Sequence, residues 1–211
     1  MRRIFLAIGL LTVIAALIIG CKEKKEEAQI PKEELVEEKA LIGKKIVMII
    51  APQNFRDEEL LEPKRILTEK GAEVKVASAS LETAKGMLGA EVKPDILVSE
   101  IKPEDWDAII LIGGTGASHY WNDFSVHSMI NQAVKHNKIV GAICIAPVTL
   151  ANAGILSGKK ATVYSSETQK LADKGAECTG KEVERDGNII TASGPPAARR
   201  FGEAIAQALM E

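Results

Sequence analysis

Apolar and polar positions divide the chain into three stretches. Residues 4–19 are almost unbroken apolar, residues 22–44 are rich in charge, and from Lys45 onward short apolar runs alternate with stretches of helical period. Ile46-Val47-Met48-Ile49-Ile50 is continuous and of strand length, as expected for a parallel strand covered on both faces. Leu60, Leu61, Ile66 and Leu67 predict a helix from about Glu58 to Lys70, closed by Gly71. Residues 73–78 predict a second strand, and the stretch Lys85 to Val98, punctuated by Gly86, Gly89 and Pro94, predicts a hairpin insertion. Asp107 to Ile112 is another buried run and ends in Gly113-Gly114-Thr115-Gly116.

A helix from Ser125 to Asn137 leads into Lys138 to Ile143, the expected central strand, which stops at Cys144. The pattern then predicts a helix at Pro147 to Ala153, a strand at Lys160 to Tyr164 and a helix at Glu167 to Lys174. A hairpin at Glu182 to Thr191 turns at Asp186-Gly187, and a last helix runs from Ala197 to Met210. This alternation predicts an α/β fold, a three-layer sandwich with a mostly parallel central sheet.

The apolar start reads as an address. Arg2 and Arg3 precede the run, and Leu17-Ile18-Ile19-Gly20-Cys21 resembles a lipobox, followed at once by Lys22-Glu23-Lys24-Lys25. Residues 1–20 are therefore expected to be a cleaved bacterial lipoprotein signal, with Cys21 acylated. The alternative is an uncleaved membrane anchor, and either way the domain sits on the extracytoplasmic side of a membrane. Residues 22–44 hold six Lys and seven Glu, too little apolar surface to offset chain entropy, so 21–44 reads as a lipidated charged tether. That leaves 45–211 as one domain.

Composition narrows the function. The 27 basic and 29 acidic residues give a net charge of −2, and loss of Arg2 and Arg3 makes it −4, so no field favours nucleic acid. With only 4% aromatic residues the core has to be aliphatic. Three widely spaced cysteines exclude a disulfide framework and a CxxC-type zinc site. Ala51-Pro52-Gln53-Asn54 follows the first strand where a dinucleotide fingerprint would stand, and no phosphate-cradling GxxxxGK[ST] occurs, so neither metal nor cofactor is expected.

Open α/β sheets bind ligands beyond the carboxyl ends of their strands. Four features fall there: the Asn54 to Glu59 loop, Gly113-Gly114, Cys144 and Tyr164. Cys144 stands between a strand and a helix start with Pro147 in its first turn, where the positive end of a helix would stabilise a thiolate and lower the thiol pKa. A buried structural cysteine is the plainer alternative.

Gly141-Ala142-Ile143-Cys144-Ile145-Ala146-Pro147, followed by Leu150-Ala151-Asn152-Ala153-Gly154-Ile155-Leu156-Ser157-Gly158-Lys159-Lys160, resembles the nucleophile-elbow block of the ThiJ/PfpI superfamily. Leu111-Ile112-Gly113-Gly114, Lys174-Gly175-Ala176-Glu177, Arg185 to Thr191 and Ser193-Gly194-Pro195 extend the match to essentially Lys45–Glu211. The resemblance implies a flavodoxin-like sandwich, similar to class I glutamine amidotransferases, with Cys144 as the reactive centre. It also implies a buried glutamate at Glu59, four residues before Pro63, with Glu58 as its rival. Confined by aliphatic side chains, such a carboxyl would have a raised pKa and could donate to a thiolate or sulfinate. By the same resemblance Gly114 and the Ile145 amide form an oxyanion pocket, and the protein is a homodimer or larger homo-oligomer.

Two departures shape the functional expectation. Peptidase-like members carry histidine directly after the cysteine, and Ile145 stands there, so a cysteine peptidase is not expected. A pocket position often filled by histidine is Tyr164. His119, in the loop after Gly113-Gly114, is the candidate to supply an imidazole over Cys144, with Tyr120 and Trp121 walling the pocket or an interface. His127 and His136 are expected to face solvent and Cys178 to be a bystander. Three functions follow: a glyoxalase- or deglycase-like enzyme acting on reactive carbonyls or their adducts on small molecules or proteins, a redox sensor or holdase through oxidation of Cys144, and a tethered binding subunit.

Overall fold

A computed structural model describes residues 40–211. Residues 1–39, with the expected signal, Cys21 and most of the expected tether, lie outside the described residues. Seven strands make the main sheet: β1 (Lys45–Ile49), β2 (Glu73–Ser78), β3 (Ile96–Leu97), β4 (Ala108–Leu111), β5 (Ile139–Ile143), β6 (Val183–Asp186) and β7 (Ile189–Ala192). Their order is β6-β7-β5-β4-β1-β2-β3, parallel at every pairing except the β6–β7 hairpin. The helices are α1 (Asp57–Glu69), α2 (Phe124–Lys135), α3 (Pro147–Asn152), α4 (Thr168–Ala172) and α5 (Ala198–Met210).

The continuous apolar runs explain the layering. Successive strand side chains point to opposite faces, so each run has to feed two cores. Ile46, Met48, Ile110 and Ile143 pack with Leu60 and Leu67 of α1 and Phe201, Ile205 and Leu209 of α5. Val47, Ile49, Ile109, Leu111, Val140 and Ala142 face the other way, against Val126, Met129 and Ile130 of α2 and Val148 and Leu150 of α3. The result is the α/β flavodoxin-like sandwich. The helices α1 and α5 meet closely because Gly202 has no Cβ; one placed there would lie 2.8 Å from Pro63 Cα.

The structure departs from the sequence pattern in four places. Leu41 is fully buried in the α1–α5 core and its amide donates to the Lys70 carbonyl at 2.8 Å, so the folded domain starts before Lys45. Of the strand expected at Lys160 to Tyr164, only Lys160–Ala161 pairs, with Glu177–Cys178, in a separate two-stranded sheet. The helix expected from Glu167 to Lys174 is shortened to α4, after a 3-10 turn at Ser165–Glu167. The predicted hairpin forms between Ala84–Gly86 and Glu91–Val92, and Gln53–Phe55, read as loop, adds a third strand to it. No helix among the described residues is long and apolar enough to cross a membrane.

Candidate active site

The end of β5 delivers Cys144, 8% exposed, in a left-handed conformation with φ of +62°. A side chain is held in that region only when its surroundings over-determine it. Here the Cys144 amide donates to the Ala192 carbonyl of β7 at 2.9 Å, and its carbonyl accepts from the Tyr164 amide at 2.9 Å. The chain then turns at once, the Ala146 amide donating to the Ile143 carbonyl, and enters α3.

The first turn of α1 carries three acids, Asp57, Glu58 and Glu59, with three separate fates. Asp57 is buried and accepts the amides of Leu88 and Ala90 at 2.9 and 2.7 Å, anchoring the turn of the hairpin. Glu58 makes a two-pronged pair with Arg56 at 2.8 and 3.0 Å, and both line the cleft that opens over Cys144. Glu59 is wholly buried beneath the ends of β4 and β5; its Oε2 accepts the Gly113 amide at 3.1 Å. Geometry thus separates the two rivals: Glu59 is buried beside Cys144, whereas Glu58 lines the open cleft and is paired with Arg56.

Burial pushes the Glu59 carboxyl up to about 7, against the opposing pull of the Cys144 thiol, the Gly113 amide and the Arg56 charge. Burial and the charge of Glu59 push the Cys144 thiol up to about 12, while the amides of Gly114 and Ile145 act to lower it. The expected lowering by a helix end is therefore corrected. The helix α3 has only six residues, and desolvation with a neighbouring carboxylate outweighs the amide dipoles. Oε1 of Glu59 has no hydrogen-bond partner of good geometry.

The Gly113-Gly114 loop closes the other side. The Arg56 amide donates to the Gly113 carbonyl at 3.0 Å, and Gly114 adopts φ of +90°. A Cβ on Gly114 would lie 2.4 Å from both Arg56 N and Asn54 O, so only glycine fits. Its amide and that of Ile145 both bear on the Cys144 sulfur. Above them opens a cleft of about 810 Å³ lined by Cys144, Gly114, Ile145 and Tyr164, with Met87 and Pro195 among its apolar walls.

Other sequence candidates fall elsewhere. His119 is exposed, its ring edge-on to Tyr120 at 4.9 Å, and it does not line the cleft. The 3-10 turn Thr115–Tyr120 rotates it outward and Tyr120 inward, where the Tyr120 hydroxyl donates to the Ile50 carbonyl. His127 does not face solvent: half-buried, its Nε2 donates to the Trp121 carbonyl at 2.9 Å. His136 is exposed, and no histidine among the described residues lines the cleft. Cys178 is half-buried against the Thr168 carbonyl. Among the described residues no group of three or more His, Cys, Asp or Glu is placed to hold a metal ion. Sequence reasoning missed Asp57 and the Arg56–Glu58 pair, since three adjacent acids carry no sign of which way each points.

Residues 44–208 match the model of the DJ-1/PfpI family. The chain is 40% identical over 168 residues to an uncharacterized protein of Methanocaldococcus jannaschii, covering 78% of this chain and 82% of that one. It is 32% identical over 149 residues to a protein of Pyrococcus horikoshii named a deglycase, covering 71% and 90%. The crystal structure of a ThiJ/PfpI domain protein from Brachyspira murdochii superposes with a TM-score of 0.77 at 33% identity, covering 79% of this chain and 98% of that one. The chain belongs to the DJ-1/PfpI family.

Proposed function

We propose that the domain is a cysteine-dependent enzyme acting on reactive carbonyls or their adducts, in the manner of a glyoxalase or deglycase. The observation that carries this reading is the burial of Glu59 beside Cys144, a cysteine that lines an open cleft with Gly114 and Ile145. The name of the Pyrococcus horikoshii relative supports the same chemistry. In the proposed step the Cys144 proton passes to Glu59 and the sulfur bonds to the carbonyl carbon. The carbonyl π pair moves to oxygen, where the amides of Gly114 and Ile145 hold it until Glu59 returns the proton. Glu59, at about 7, is poised to hold or release that proton near neutrality.

The test is a panel of 2-oxoaldehydes and their protein adducts offered to the purified full chain, with Cys144→Ser and Glu59→Gln controls. Turnover lost in Cys144→Ser supports the enzyme. Peroxide adding oxygen to Cys144, with no turnover of any carbonyl, would replace it with a redox sensor or holdase. Equal behaviour of the wild type and Cys144→Ser in both assays would leave only a binding role.

We also propose that Cys21 is lipidated and holds the domain on the extracytoplasmic side of a membrane; the order of apolar run, small residue, cysteine and charged tether supports it. Loss of fatty-acid label in Cys21→Ser tests this. Self-association is proposed from the exposed apolar Leu61 and Leu88 and is checked by sedimentation of the detergent-solubilised chain.

A further inference from the structure

The strained elbow at Cys144 is held by five hydrogen bonds, and only one comes from a side chain. Four are main-chain bonds: Cys144 to Ala192, Tyr164 to Cys144, Ala146 to Ile143, and the Val148 amide to the Ile145 carbonyl at 3.3 Å. The fifth runs from Trp121 Nε1 to that same carbonyl at 3.1 Å. The tryptophan is itself fixed from two helices. Asn152 Nδ2 of α3 donates to its carbonyl at 2.8 Å and His127 Nε2 of α2 donates at 2.9 Å; a carbonyl only accepts, so Nε2 carries the histidine proton. On the far side, Lys170 Nζ lies 5.2 Å from the indole centroid and pairs with Glu167, which lines the cleft.

We propose that Trp121 is a positioning residue for the reactive cysteine: its indole N–H holds the Ile145 carbonyl and thereby fixes the turn that carries the chain out of Cys144. Ile145 joins the two halves of the relay. Its amide lies in the peptide plane of the Cys144 carbonyl, which the Tyr164 amide holds, and its own carbonyl, in the next plane, is held by Trp121 and by the Val148 amide, so these bonds together fix the two planes that flank Ile145. Trp121 does not line the cleft, so it touches no substrate and acts through Ile145 alone. Aromatic pairs in strand-end loops suggest pocket walls; here the tryptophan supports the floor from behind.

The inference rests on Cys144 being the reacting group, and two readouts separate the claims. Trp121→Phe keeps the aromatic packing and removes only the donor. Losing one neutral hydrogen bond at the reacting centre corresponds to a roughly two- to tenfold loss of rate. In the full chain, alkylation of Cys144 by iodoacetamide should slow by that factor, and kcat for carbonyl substrate should fall equally with KM unchanged. A purely structural role would lower the melting temperature and leave both rates alone; wild-type rates in folded Trp121→Phe overturn the proposal. Asn152→Leu removes one of the two donors to the Trp121 carbonyl and should move alkylation the same way by a smaller factor. It decides the matter if Trp121→Phe does not fold, and wild-type alkylation there overturns the proposal too. A wild-type chain inert toward every carbonyl yet alkylated faster than Trp121→Phe would remove the enzymatic reading and support the positioning role.

Discussion

Glu59 and Gly113 are joined by one hydrogen bond, 3.1 Å from the Gly113 amide to Oε2, and no second bond of good geometry reaches Oε1. A carboxylate so poorly supplied with donors in a dry site prefers to keep its proton, and the thiol beside it resists sharing the space with a negative charge. The two side chains therefore titrate as a pair, with apparent steps that belong to both.

Cys144 should alkylate with a pH profile that shows this coupling. Loss of the first proton from the pair, near 7, creates the singly ionised state from which a thiolate beside a neutral carboxyl can form. Iodoacetamide should therefore react faster as pH rises through about 7. Glu59→Gln removes the shared proton, so its profile should lack that inflection. Identical profiles for the two proteins would show that the thiol titrates alone.

Stability should fall as pH rises across the same region. The folded Glu59 carboxyl sits at about 7, above its ordinary value of 4.5, so between those values the native state holds a proton that the unfolded chain has released. The stabilisation is fully present below 4.5 and is lost by about 7, by an amount on the order of 3 kcal/mol from this group. Gln at 59 stays neutral at every pH. Denaturant titrations at several pH values should show wild-type stability declining relative to Glu59→Gln from pH 5 to 8; parallel curves would contradict the raised carboxyl.

The fold was legible wherever burial leaves a one-dimensional trace. The runs Ile46 to Ile50 and Ile139 to Ile143 carry no polar side chain on either face because helices cover both. Lys160 to Tyr164 misled because Ala161, Thr162 and Val163 are buried although only Lys160 and Ala161 join a ladder: the Thr162 amide goes to Thr191 Oγ1 and the Tyr164 amide to the Cys144 carbonyl. At the site, Cys144 and the glycines were visible because a strand end followed by a turn demands particular backbone. His119 was not placed correctly, since one 3-10 turn decides whether it or its neighbour faces inward, and sequence spacing does not carry that rotation.

Gly114→Ala should be far more damaging than an ordinary loop substitution. The backbone is left-handed at φ of +90°, and the new Cβ would meet two main-chain atoms at 2.4 Å, neither of which can rotate away. The loop has to move, taking its amide from the sulfur. We expect a loss of roughly 3 kcal/mol or more and a slower alkylation of Cys144, read by denaturant titration and by the iodoacetamide rate. Alanine tolerated at wild-type stability would mean that the loop has a second conformation of equal energy.

Asp57 offers a test of how the wall of the cleft is built. Its buried carboxylate takes the amides of Leu88 and Ala90, and the neighbouring Gly86 leaves room for it; a Cβ there would lie 2.5 Å from both carboxylate oxygens. Met87, one residue before Leu88, lines the cleft, so the same carboxylate that pins the hairpin also sets the position of that wall. Asp57→Ala leaves two amides without acceptors, which should cost about 2–4 kcal/mol. The damage should be local: faster proteolysis and hydrogen exchange within residues 84–92, with the β1, β4 and β5 amides still protected. Cys144 alkylation should change little, because Asp57 does not touch the Glu59 pair, while KM for a bulky carbonyl substrate should rise as Met87 loses its place. Uniform loss of protection across the sheet would instead make Asp57 a keystone of the whole fold.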